Sequence, residues 1–196
     1  MFRSFIALSF AGLLAACGQP APPSSPPEAT TPPPLATSGF LTAYVEEDFP
    51  MTVPELRDFL ATENLIDQFE PVGKISTPVA TEILSGTWPE PDAVRRVELA
   101  DGHYVIERIT ANEPDFFQYQ IFLFTNATGR GVEQIVGEQR FVPTDDGTRF
   151  EWTYNVLPHN TFVGLFVRSQ MDDIETYISN GLSRYAQLAR ARVNGS

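Results

Sequence analysis

The chain has 196 residues, 25 acidic side chains against 13 Lys and Arg, and a formal net charge of −12, with Lys74 as its one lysine. Such an acidic surface argues against nucleic acid as a partner and against electrostatic adhesion to anionic lipid. Cys17 is the single cysteine, which excludes an internal disulfide framework and a thiolate metal site.

The chain opens MFRSFIALSFAGLLAAC, with one basic residue, Arg3, ahead of an apolar run from Phe5 to Ala16. That run is shorter than the roughly 20 apolar residues a membrane span needs. It has the length of a signal-peptide core. It ends Leu14-Ala15-Ala16-Cys17, which resembles the bacterial lipobox. The resemblance implies cleavage after residue 16 and attachment of a diacylglyceryl group to the Cys17 thiol. Acyl chains contribute about 0.8 kcal/mol per buried methylene, so two or more anchor a protein stably. Gly18, standing where aspartate favours inner-membrane retention, implies the outer membrane, facing the periplasm. Loss of Arg3 takes the net charge from −12 to −13.

Residues 18–37 read GQPAPPSSPPEATTPPPLAT. No large apolar residue precedes Leu35, so the segment has too little surface to bury to fold alone. Residues 17–37 are therefore expected to be a lipidated cysteine and a disordered, Pro-rich tether. As extended polyproline II it would span roughly 60 Å. Residues 38–196 are long enough for one domain with a full core.

Within that domain, the stretch from Phe40 to Phe49 is rich in strand formers. Thr52-Val53-Pro54-Glu55 predicts a helix start, with Thr52 as cap, Glu55 completing a capping box and proline in the first turn. Leu56, Phe59 and Leu60 follow at helical spacing; Leu65, Ile66 and Phe69 predict a second short helix ending near Pro71. From Lys74 the hydrophobic period changes to two. Strands are expected near 75–86, 93–99, 103–111, 115–125, 130–142 and 148–157, with Asp101-Gly102 and Asp146-Gly147 as turns. Over about 162–193, Val167, Met171, Ile174, Ile178, Leu182, Tyr185 and Ala189 recur at spacings of three and four, which predicts a long amphipathic helix. Gly181 counts as a defect of about 1 kcal/mol within it.

The stretches Thr87-Trp88-Pro89, Ala93 through Ile109, Gly137 through Phe141 and Thr148 through Tyr154, in this order of elements, resemble the START, polyketide-cyclase and SRPBCC superfamily. The resemblance implies an α+β helix-grip fold. Seven antiparallel strands form a curved sheet wrapping a long C-terminal helix, with two short helices after the first strand. It also implies a cavity between sheet and helix for an apolar molecule or lipid. Because side chains alternate along a strand, Phe150, Trp152, Tyr154 and Val156 share one face, as do Phe117, Tyr119, Ile121 and Leu123. With Leu165, Met171, Ile174 and Ile178 from the helix, these are the expected cavity-lining, ligand-binding residues. The same residues could instead fill a core.

The Ala100-Asp101-Gly102 turn admits two registers. A three-residue turn with a bulge at Gly102 pairs Leu99 with His103 and Arg95 with Glu107; a two-residue turn pairs Arg96 with Glu107. The first unites Val97, Leu99, Val105 and Ile109 on one face, and a slip of one residue would reverse every side chain. Arg95 and Glu107 are thus expected as a pair on the cavity side, serving structure or orienting a polar ligand head.

No metal motif, nucleophile elbow, phosphate loop or dinucleotide fingerprint occurs in the sequence. No cofactor is expected. The main expectation is a membrane-tethered binding protein or carrier for an apolar or amphipathic small molecule. A cyclase-like or hydrolytic enzyme using Glu107, His103 or Tyr154 is the alternative. An envelope protein-interaction module is the third reading.

Overall fold

The computed structural model describes residues 20–63 and 65–195. Cys17 and the signal-peptide reading lie outside the described residues. Seven strands form one antiparallel sheet: β1 (Leu41–Phe49), β2 (Pro78–Ser85), β3 (Val94–Leu99), β4 (Tyr104–Glu113), β5 (Phe116–Phe122), β6 (Val132–Thr144) and β7 (Gly147–Pro158). Their order is β1-β7-β6-β5-β4-β3-β2, a meander in which only β1 is placed out of sequence. Helix α1 (Val53–Thr62) and a short 3-10 turn (Leu65–Gln68) follow β1, and α2 (Thr161–Arg168) and α3 (Met171–Asn194) close the chain. The expected helix-grip architecture is present.

Local chemistry sets the element ends. The Glu55 carboxylate reaches back to accept from the Thr52 backbone N–H at 2.9 Å and from its hydroxyl at 2.7 Å, closing the N-terminus of α1. These two bonds hold the Glu55 carboxyl below the usual range. The Asn160 side chain caps α2 by accepting from Phe162 N–H and Val163 N–H at 3.1 and 3.0 Å.

Where one helix over 162–193 was expected, the chain breaks at Ser169-Gln170. There Ser169 N–H and Gln170 N–H bond three residues back, to Phe166 and Val167. The two helices bury different stripes. Val163 and Val167 of α2 pack with Val132 and Val156, whereas Ile178, Leu182, Tyr185, Ala186 and Ala189 of α3 enter the main core.

The proline-rich segment departs from expectation. Residues 20–38 carry no helix or strand, yet they lie across the outer face of the sheet instead of standing free. Pro20, Pro27, Pro33 and Pro34 offer carbonyl oxygens to His103, Arg96, Gln120 and Gln134. The contact distances run from 2.8 to 3.1 Å. Ala36 N–H donates to Gln134 Oε1. The sheet supplies what the segment lacks: Gln120, Gln134 and His103 are buried polar side chains, and such groups require partners. Composition predicted that the segment cannot fold alone, but a sheet face with matching donors was not legible in it.

Gly181 has a specific purpose. A Cβ there would sit 2.3 Å from Phe69 Cε1, so glycine admits the Phe69 ring against α3. Helix propensity alone would make Gly181→Ala stabilising by about 1 kcal/mol. The contact reverses the sign: the expected result is a loss of about 1–3 kcal/mol in urea unfolding. A gain would show that the ring is not held there.

Candidate functional site: an apolar cavity between sheet and helix

Rows of facing side chains cross the concave side of the sheet. Arg95, Glu107, Ile121, Ile135 and Val156 are successive cross-strand partners from β3 to β7. The β3–β4 turn takes the three-residue form: Leu99 N–H bonds the His103 carbonyl at 2.8 Å, and Gly102 has φ +77°, which glycine tolerates. That register pairs Arg95 with Glu107 and Val97 with Val105, all toward the cavity.

A second row runs Ile109, Tyr119, Gly137, Tyr154 and Ala43. A Cβ on Gly137 would fall 2.2 Å from Tyr119 Cζ. Glycine therefore lets the Tyr119 ring lie flat across β6 and meet Tyr154, with ring centroids 6.2 Å apart. Trp152 Nε1–H donates to the Tyr119 hydroxyl at 2.9 Å. Burial raises the phenol pKa of Tyr119, Tyr154 and Tyr177 well above ordinary values.

Together these rows and the start of α3 enclose a cavity of about 230 Å³. An apolar cavity of about 150 Å³ already accepts benzene. Phe69 separates it from the packed core, stacking on Tyr177 at 4.8 Å and meeting Trp152 edge-on at 6.1 Å. Toward one end the lining becomes polar and partly exposed at Lys74, Ser76, Thr128 and Gln170. That end is the mouth.

Arg95 and Glu107 are ion-paired through Arg95 Nε–H. The Arg95 guanidinium also stacks 3.8 Å from the Trp88 ring centroid, a cation–π contact. The pair is largely withdrawn from solvent, with side-chain exposures of 14% and 9%. Among the described residues no group of three His, Cys, Asp or Glu is placed to hold a metal.

Of the expected lining residues, Phe117, Tyr119, Ile121, Trp152, Tyr154, Val156 and Ile174 border the cavity, with Arg95 and Glu107. Five do not. Leu123 follows the end of β5, has φ 56°, and turns to the outer-face cluster of Val94, Ile106 and Phe122. Phe150 packs below the cavity between Phe49 and Phe141, at 6.1 and 5.0 Å. Ile178 is fully buried in the core where α3 closes on the sheet. Met171 packs beside Val132, Val156 and Val167. Leu165 is two positions from both Val163 and Val167, so on a helix it points away from the sheet. It is 67% exposed. The candidate base His103 faces the outer side of the sheet, with its ring nitrogens at Thr125 Oγ1 and the Pro20 carbonyl.

Sequence reading missed Trp88, Phe69 and Tyr177. Trp88 lies in a loop and Phe69 in an irregular stretch, where periodicity carries no signal. Tyr177 lies one turn below Ile174 and one position short of Ile178, and the helical pattern had selected Ile178.

Fold and site together define a helix-grip domain with an apolar cavity open at one end. The chain belongs to the polyketide cyclase / dehydrase and lipid transport family, whose model matches residues 61–190. Solved structures share the fold at low identity. Ara h 8.0201 is 19% identical with a TM-score of 0.57, the alignment covering 78% of this chain and 99% of that one. TTHA0849 from Thermus thermophilus is 14% identical with a TM-score of 0.56, covering 78% and 99%. The di-domain ARO/CYC StfQ of the steffimycin biosynthetic pathway is 12% identical with a TM-score of 0.56, covering 79% of this chain and 53% of that one. No curated protein matches the sequence significantly.

Two measurements test the site. Arg95→Met strands the Glu107 carboxylate among apolar groups and is expected to cost about 3 kcal/mol. In the Arg95→Met/Glu107→Leu double variant most of that loss is regained. Equal losses in both variants would show that an unpaired Glu107 carboxylate is not the source of the cost. The tyrosines give a pH dependence. Their folded pKa values are raised, so the unfolded chain ionises first. Stability is then full below about pH 10, the ordinary tyrosine value, and falls as pH rises above it. Phenolate absorbance from Tyr119, Tyr154, Tyr177 and Tyr185 is expected to appear together with unfolding, not before it.

Proposed function

We propose that this protein binds an apolar or amphipathic small molecule in the cavity and is held at a membrane by lipid on Cys17. The observation that carries the binding reading is the cavity itself. It is walled by Phe117, Tyr119, Ile121, Trp152 and Ile174, and Arg95 and Glu107 form an ion pair in its wall. Family membership supports the same chemistry. Pockets of this kind obtain affinity from apolar burial and orientation from a few polar groups. The Arg95–Glu107 pair and the Tyr154 hydroxyl are suited to receive a ligand's polar end, while its apolar body lies against the aromatic rows. The lipobox residues at 14–17 support tethering in the cell envelope, with Gly18 favouring the outer membrane and the periplasmic side.

Glu107 is less suited to general-base chemistry than the sequence alone suggested, because Arg95 occupies its carboxylate. A carrier of lipid or a lipophilic metabolite is therefore preferred over a cyclase or hydrolase.

Native mass spectrometry of the processed protein, followed by solvent extraction, is expected to reveal a stoichiometric small-molecule adduct. Ile174→Trp, which fills the cavity from α3, is expected to abolish the adduct while leaving the circular dichroism spectrum unchanged. An adduct that persists in Ile174→Trp would place the ligand elsewhere.

A further inference from the structure

Helix α2 presents an apolar stripe that no described residue covers. Phe162 is 87% exposed, Leu165 67% and Phe166 49%. They stand at i, i+3 and i+4, so they form one surface of the helix. Single exposed apolar residues are ordinary, but a contiguous cluster with two phenylalanines marks a contact surface.

Three observations say what covers it. The stripe lies at the mouth end of the domain, because α2 follows the end of β7 that pairs with the start of β6, and Gln170, just beyond α2, lines the cavity. The described chain begins at that same end. A short path of contacts links them. Pro20 meets His103 at 3.1 Å, and His103 meets Thr125 at 3.0 Å. Asn126, next in the chain, accepts from Gly129 N–H at 2.8 Å, and Gly131 packs on Val163 of α2. Finally, Cys17 precedes Pro20 by only three residues, a reach of about 10 Å. Because residues 20–38 are docked on the sheet, they add no free length between anchor and domain.

We propose that the mouth end of this domain docks on a lipid bilayer, with Phe162, Leu165 and Phe166 inserted among the acyl chains. The proposal rests on the reading of Cys17 as a lipid anchor. The overall charge of −12 makes electrostatic attraction to anionic lipid an unsuitable source of contact, so apolar insertion must supply it. An amphipathic helix places such a face about 5–10 Å into the interface. The geometry turns the cavity mouth toward the source of lipophilic ligands. It gives the bound molecule a path from bilayer to cavity that does not cross water.

The test uses the processed, lipidated protein reconstituted in phosphatidylethanolamine–phosphatidylglycerol vesicles. Acylation blocks Cys17, the only native cysteine, so Leu165→Cys and Asp146→Cys each provide one thiol for an environment-sensitive fluorophore. Asp146 lies in the β6–β7 turn, at the opposite end of the strands from α2. The expected result is a blue-shifted emission, quenched by spin-labelled acyl chains, at position 165 and neither effect at 146. Adding Phe162→Ser and Phe166→Ser to Leu165→Cys is expected to abolish both. These side chains are exposed, so their replacement leaves the core intact. Equal signals at 165 and 146 would overturn the proposal. So would quenching that survives the serine substitutions, which would mean that the anchor alone holds the domain close. A blue shift without vesicles that grows with protein concentration would assign the stripe to a second copy of the chain instead. Two fluorophores per molecule in Leu165→Cys would remove the anchor premise. The adduct measurement on the cavity is independent of all these outcomes.

Discussion

Small side chains decide where α3 touches the sheet, and the cavity exists because they stop halfway along the helix. Over its C-terminal half, Gly181, Ala186 and Ala189 let α3 settle close to β1 and the core. Close-packed interiors exclude voids where side chains can interdigitate. Toward the N-terminus, Ile174 and Tyr177 replace the small residues and line open space. Gly181 sits at the boundary. Its missing Cβ admits Phe69, which closes the floor between packed core and cavity. Gly137 has the corresponding role on the sheet, where it lets Tyr119 lie flat beside Tyr154. Two glycines in regular elements, each unfavourable by propensity, thus shape opposite walls of one chamber.

The two faces of the sheet handle polarity differently. The concave face is mostly apolar: its charges are paired, Arg95 with Glu107, and its other polar groups include Gln139 and the Tyr119 and Tyr154 hydroxyls. The outer face carries Gln120 and Gln134, which bond each other at 2.8 Å and would leave donors unmet without the proline carbonyls above them. Proline suits that position: it lacks an N–H but retains a full acceptor, and its extended backbone needs no partner of its own. The strap and the sheet are complementary: the strap supplies carbonyl acceptors to the buried polar side chains of the sheet.

Legibility followed the strength of the local signal. Thr52 and Glu55 marked the start of α1 because a capping box is a pairwise rule. The β3–β4 register was readable because only one turn geometry put Val97, Leu99 and Val105 on the side of Ile109. Alternation located Tyr119, Ile121, Trp152 and Tyr154 on the concave face, yet it could not separate the lining residue Trp152 from the core residue Phe150. Periodicity reports which side of a strand is buried, not how far the opposing helix stands away. Leu123 was lost to a left-handed backbone that ends the alternation. Leu165 was lost because α2 is apolar on both sides and the sequence hides its break from α3. The strap was invisible for a different reason: its composition reports only that it cannot fold by itself.

That strap also has a mechanical meaning. Its contacts, from Pro20 at His103 through Pro27 at Arg96 to Pro34 at Gln134, are arranged in series along the chain. Tension applied at the N-terminus therefore loads them one at a time, in the manner of a zipper, and reaches β1 only after the last has opened. Each released contact frees more of the segment, up to about 60 Å when it is fully extended. The sheet ladder carries no load until that slack is exhausted. Serial contacts of this kind open stepwise under load, and the cavity, built from the sheet and α3, keeps its shape while they do.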